Sequence, residues 1–340
     1  MNKIYLVATL AVLLLSCTKN NEENVNPSTP NPTNQSKLFV IKQNDLYPST
    51  YISNVVTLDL LNSPSPETSV SQLTANDYLD NIAINRQTNE IIAIGEFKGL
   101  NVPDKKLYKI NIATGILTKI DIIETPYGFF GDLVIDNTGN AFAIKENDNP
   151  NISFVPQIVK INQTTGEQSI VASLGINDYL DNLTYNSTTN EIIGIGEDKT
   201  LTISNIKIYK INVSTGIVTI IDIPDSVGGS FTDILIDNNE NLYSVIQSDN
   251  PTSTFVPKIV KINQNTGVLT QIATLNVKDY LDHFVFDNLT NEIIGIGADK
   301  TQGSTYDLKL FKINVTNGTI LKNEINENPT AGFYSELVIK

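Results

Sequence analysis

The sequence predicts an all-β chain of six four-stranded antiparallel units closed into a ring, and three observations carry that prediction. The string Asp-Tyr-Leu-Asp-Asn begins at Asp77 and Asp178, and Asp-Tyr-Leu-Asp-His begins at Asp279, so the chain repeats every 101 residues. A half-period lies inside that repeat: the glycines closing Lys-Ile-Asn-x-x-x-Gly fall at Gly115, Gly166, Gly216, Gly267 and Gly318, in steps of 50 or 51 residues. The third observation is that the segments before the first complete unit and after the last are complementary pieces of one further unit. Self-similarity at a fixed period is the signature of a repeat architecture.

The first 36 residues stand outside the repeat. Lys3 precedes an apolar run from Ile4 to Leu15 that is too short to span a bilayer, so residues 1–16 have the proportions of a signal peptide. The run ends in Leu14-Leu15-Ser16-Cys17, which resembles the bacterial lipobox. That resemblance implies a lipid, palmitate included, on Cys17, and an outer-membrane lipoprotein facing the periplasm or the cell surface. Cys17 is the only cysteine, so no disulfide can form within one chain. Residues 17–36 then form the lipidated Cys and a tether, rich in Asn, Pro and Thr and too polar to fold alone.

Residues 37–340 hold the ring. In the unit that starts at Asp77, runs rich in Ile, Leu and Tyr at Asn81–Ile84, Ile91–Gly95, Lys106–Ile112 and Ile116–Ile122 predict four strands, separated by Asn, Thr and Gly turns. Gly115 is expected at positive φ in the last, tight hairpin. No segment sustains a 3.6-residue apolar period, so helix is not expected. Complete units begin near Asp77, Gly128, Asp178, Gly228 and Asp279, and two unit types alternate.

The ends complete the count. Residues 38–45, LFVIKQND, match AFAIKEND of the Gly128 unit, and residues 332–340, GFYSELVIK, match its first strand, GFFGDLVID. Two fragments thus make one unit split at its first hairpin, and this arrangement resembles the closure of six-bladed β-propellers, where a terminal strand docks beside strands from the other end. The Lys-Ile-Asn-x-x-Thr-Gly phrase is also similar to that of uncharacterised propeller lipoproteins.

Composition narrows the function. The formal net charge is -14, from 37 acidic against 23 basic residues, which disfavours nucleic acid and anionic lipid as partners. The membrane is expected to be met through the lipid anchor alone, and the body is expected to be monomeric. With one histidine and one cysteine, clusters of His and Cys around a metal are absent. Gly194-Ile195-Gly196 and Gly295-Ile296-Gly297 lack the third glycine and following helix of a dinucleotide site, and are expected to let neighbouring blades approach closely.

Antiparallel geometry sends the long loops to one face, where binding is expected. They include Asp148-Asn149-Pro150, Phe154-Val155-Pro156 and their copies at Asp249 and Phe255, while Tyr78, Tyr179 and Tyr280, close to first-strand acids, are expected to pack between neighbouring blades or, alternatively, to form a ligand-contacting rim. At the start of each first strand stands an acid: Asp80, Asp132, Asp181, Asp233, Asp282 and Glu336. These come from two adjacent columns, because Asp132, Asp233 and Glu336 align with Asn81, Asn182 and His283. Successive strand residues point to opposite faces, so one column is expected to reach the channel. Crowded carboxylates attract a hard cation, and Asp132, Asp233 and Glu336 are candidate Ca²⁺ ligands.

Two functions follow. One is an envelope-anchored binding or scaffolding module that captures a protein or glycan on the long-loop face, without catalysis. The alternative is a cation-dependent hydrolase or lactonase at the channel mouth, resembling six-bladed lactonases of the gluconolactonase type. An enzyme needs one asymmetric polar pocket, and the third-copy changes to His283 and Ala298 are the asymmetry that the sequence offers.

Overall fold

The computed structural model describes residues 35–46, 50–98, 104–123, 129–146, 155–176, 178–198, 205–224, 229–248, 255–277, 279–299, 307–325 and 333–340. Among them lie 24 strands, β1 to β24 in chain order, and no helix. The strands form six four-stranded antiparallel sheets, the blades of a six-bladed β-propeller. Blades II to VI are consecutive. Their first strands are β4 (Asp77–Asn85), β8 (Phe129–Ile135), β12 (Asp178–Asn186), β16 (Ser230–Ile236) and β20 (Asp279–Asp287).

Blade I has the order β24-β1-β2-β3, from β24 (Phe333–Ile339), β1 (Leu38–Leu46), β2 (Thr50–Leu58) and β3 (Glu67–Gln72). Leu38 pairs with Ile339 and Val40 with Leu337. Lys37 and Lys340 exchange backbone hydrogen bonds of 3.0 Å in both directions beyond the last strand pair. The two ends therefore close the ring as the complementary fragments required. Ser36 is already buried and its hydroxyl donates to Asp287 at 2.6 Å, so the body begins at the last tether residue. Cys17 and the rest of residues 1–34 lie outside the described residues.

Burial explains the composition of each strand. The second strands, such as β9 (Ala141–Glu146) and β17 (Leu242–Gln247), are buried at every position because neighbouring blades cover both faces, hence their continuous apolar runs. The outer strands, such as β7 (Leu117–Asp121) and β15 (Val218–Asp222), are half-buried or exposed and each carry a Thr and an Asp. Six apolar clusters lie between adjacent blades; Phe39 and Ile41 of blade I, for instance, meet Leu79, Ile91 and Tyr108 of blade II. Each aliphatic side chain so covered contributes roughly 1.5–3 kcal/mol.

The Lys-Ile-Asn-x-x-x-Gly phrase has a local cause. Asn111 Oδ1 accepts from the backbone N–H of Ala113 and of Thr114, both at 3.0 Å, and the Gly115 N–H donates to Asn111 O at 2.8 Å. Gly115 takes φ +69°, and a Cβ there would stand 2.2 Å from Val70 O of the preceding blade. One motif thus turns the hairpin and spaces the blades.

Candidate functional site

The first strands of all six blades surround a central cavity of about 1050 Å³. Every one of them is interrupted at the same level by a β-bulge. In β8 the pairing passes from Phe130–Lys145 to Leu133–Ala143, so Gly131 and Asp132 together oppose one residue. The same shift skips Asp80 in β4, Asn182 in β12, Asp282 in β20 and Glu336 in β24. A bulge kinks a strand and re-aims side chains. At or beside it stand Asn81, Asp132, Asn182, Asp233, His283 and Glu336, one from each blade, and all six line the cavity together with their strand neighbours.

The bulges also account for the paired glycines. A Cβ on Gly95, Gly196 or Gly297 would lie 2.1, 2.0 or 2.1 Å from the carbonyl oxygen of Tyr78, Tyr179 or Tyr280 on the bulged first strand of the same blade. These glycines make room within a blade and not between blades, which corrects the expectation from the sequence.

The six lining residues divide into two groups. Asn81 Nδ2 donates to Gly131 O of the next blade at 2.8 Å, and Asn182 Nδ2 donates to Thr232 O at 3.2 Å. Asp132 accepts from its neighbour's Leu133 N–H at 2.7 Å and, across the blade gap, from the Leu183 N–H. These three side chains stitch blades II to V together. The other three face one another: His283 Nδ1 stands 3.5 Å from Asp233 Oδ2 on blade V and 3.5 Å from Glu336 Oε1 on the closing strand. Their side chains are 22%, 30% and 25% exposed, open to a small molecule yet mostly sheltered. The third copy of the repeat has exchanged a stitching amide for an imidazole between two carboxylates.

The calcium set expected from the sequence is not assembled. Among the described residues no group of three or more His, Cys, Asp or Glu is placed to hold a metal ion. Asp132 instead accepts hydrogen bonds from the Leu133 and Leu183 N–H groups. Asp80 does not line the cavity. It is half-buried, and burial, reinforced by the negative charge of Glu96 and opposed by Lys105 and Lys98, pushes its carboxyl up to about 6. The side chains of Asp181 and Asp282 lie outside the described residues, as do Asp148 to Phe154 and Asp249 to Thr254 on the long loops. Tyr78 is half-buried with the Lys98 ammonium 3.5 Å from its ring centroid.

No family model and no curated protein matches this chain. Solved structures do. The periplasmic gluconolactonase of Pseudomonas aeruginosa is similar over 90% of this chain and 99% of its own, at 9% identity and a TM-score of 0.51. A putative 6-phosphogluconolactonase from Bacteroides fragilis covers 91% and 100%, at 12% identity and 0.53. A protein of unknown function from Bacteroides caccae covers 90% and 99%, at 10% identity and 0.55. The likeness is one of fold. It spans the whole ring, and at such identities it carries no residue across.

Sequence reasoning found the column but not its division into stitching and facing groups. The signal was present in the ring order. Asn recurs at Asn81 and Asn182, and only the third copy departs from it.

Proposed function

We propose that the protein is a hydrolase that opens an ester or lactone of a small, sugar-derived substrate at the mouth of its central channel. We also propose that it is held at the outer membrane by a lipid on Cys17, facing the periplasm or the cell surface. The observation that carries the first reading is the Asp233–His283–Glu336 group, the one place where the channel ring breaks its repeat. Supporting it, structures named as lactonases share the fold over nearly their whole length. The rival reading as a binding module rests on the long loops, much of which lies outside the described residues.

The chemistry follows from the ring's only imidazole. A proton on His283 Nδ1, facing the two carboxylates, leaves the lone pair on Nε2, the tautomer a general base needs. His283 then takes a proton from water as the water oxygen bonds to the acyl carbon. Asp233 and Glu336 stabilise the imidazolium so formed. Collapse of the tetrahedral intermediate breaks the acyl C–O bond, and His283 returns the proton to the leaving alkoxide, giving a hydroxy acid.

The test is His283→Asn, which installs the residue found in the other two copies. Proton release from glucono-lactone and related lactones, followed at constant pH, should exceed the spontaneous rate with the parent. It should fall by about 10²–10⁴-fold in the variant, the range general acid–base catalysis contributes, while the melting temperature stays put. A parent no faster than buffer on every lactone, or a variant as fast as the parent, overturns the reading.

A further inference from the structure

A second cavity, of about 940 Å³, lies between blades II and III and shares no residue with the His283 group. Its floor is made of side-chain amides held in place. Asn85 Nδ2 and Gln163 Nε2 both donate to Gly139 O, at 3.1 and 2.6 Å, and Gln168 Nε2 donates to Ile123 O at 2.8 Å. Ile123, 55% exposed, supplies an aliphatic wall.

The charges around this groove depart from the pattern of blades II, IV and VI. In blades II, IV and VI the lysine of Lys-Ile-Asn faces a glutamate at the start of the second strand: Lys109 with Glu90 at 3.4 Å, Lys210 with Glu191 at 3.2 Å and Lys312 with Glu292 at 3.6 Å. In blade III the ladder pairs Ile161 with Ala141, as it pairs Ile110 with Ile91 in blade II, so the place of Glu90 is taken by Asn140. Among the described residues Lys160 therefore faces no carboxylate, and it lines the groove together with Lys109. Glu167, which accepts from the Thr165 hydroxyl at 3.1 Å, is the one acidic residue in the lining.

Gly139 keeps the groove open. It stands at φ +83°, and a Cβ there would come within 2.9 Å of the Asn85 amide. Its counterpart in blade V is Glu240, at φ +64°, whose backbone oxygen accepts from Gln264 as Gly139 O does from Gln163. The equivalent position between blades IV and V thus brings a side chain and a negative charge. Deletion of that side chain between blades II and III leaves space, cation and fixed amides in one place.

From this we infer that the groove between blades II and III binds an acidic saccharide, its carboxylate or sulfate on Lys160 and its hydroxyls on the amide floor. Fixed planar amides donate and accept in a geometry suited to neighbouring hydroxyls, and little ordering entropy remains to oppose binding. The site stands apart from the proposed hydrolase and does not depend on it.

The experiment is a titration of the whole protein with a sulfated chondroitin disaccharide, followed by calorimetry, with lactose as the uncharged control. The parent should bind the acidic disaccharide at least tenfold more tightly than lactose, and less tightly as salt is raised. Lys160→Gln should lose that preference, whereas Lys261→Gln, the same ladder position in blade V, and His283→Asn should keep it. Gly139→Glu should also abolish binding, and its melting curve shows whether the fold survives. Equal binding by the parent and Lys160→Gln, or no binding by the parent at millimolar ligand, overturns the assignment.

Discussion

Asp80 shows how one residue out of the channel can still tune the molecule. Its carboxyl titrates near 3.8 in the unfolded chain and at about 6 in the fold, because burial and Glu96 disfavour its charge. Between those values the folded state holds the extra proton, so this group makes stability fall as pH rises from 4 to 6, and the loss is complete above that. Asp80→Asn removes the cost. The variant should be more stable than the parent by about 1–3 kcal/mol at pH 7.5, the upper figure being two units at 1.36 kcal/mol each, and equal to it below pH 4. Urea unfolding at the two pH values checks the sign. At this scale the sequence was half legible: alignment put Asp80 and Asp132 in different columns and His283 stood out, yet nothing in the residue types marked the bulges. Only the bulge decides that Asp132 faces the axis and Asp80 does not, and a bulge depends on a hydrogen-bond register that residue types do not spell out.

At the scale of the strand, β24 does two things. It supplies the partner that β1 needs, through pairs such as Leu38–Ile339 and Val40–Leu337, and it brings Glu336 to His283. Deleting residues 332–340 removes buried Leu337 and uncovers β1. Each apolar side chain lost from the core is worth roughly 1.5–3 kcal/mol, against a total of about 5–15 kcal/mol for a domain. The truncated chain should therefore lose its cooperative melting transition by circular dichroism and run as an aggregate on size exclusion; a parent-like transition would contradict this. Strand boundaries were readable because the hairpin motif repeats with little variation. The glycine pairs were read as blade spacers because a glycine records only that something comes close, and not which backbone it is.

For the whole molecule, the repeat made the blade count and the closure legible before any coordinates. Five glycines at even spacing and two matching fragments leave no other ring. The site was less legible, since a near-symmetric ring hides the one place where symmetry fails. The same ring bears on cations. With Asp132 bound to the Leu133 and Leu183 N–H groups and Asp233 and Glu336 beside His283, no ligand set for calcium stands assembled among the described residues. Millimolar Ca²⁺ and a chelator should give melting temperatures within about a degree of each other, where a site filled to a hundred times its dissociation constant would add about 2.7 kcal/mol. A rise of several degrees with Ca²⁺ would show the carboxylates regrouping around an ion.

The seam has a consequence in time. Glu336 lies on β24, and it meets His283 only when that strand has found β1, made some 300 residues earlier. A chain whose synthesis has passed His283 but has not reached β24 carries Asp233 and His283 without their third partner. On the proposed function, catalysis then begins only once the ring has closed, so the order of synthesis itself keeps the group silent while the chain is incomplete.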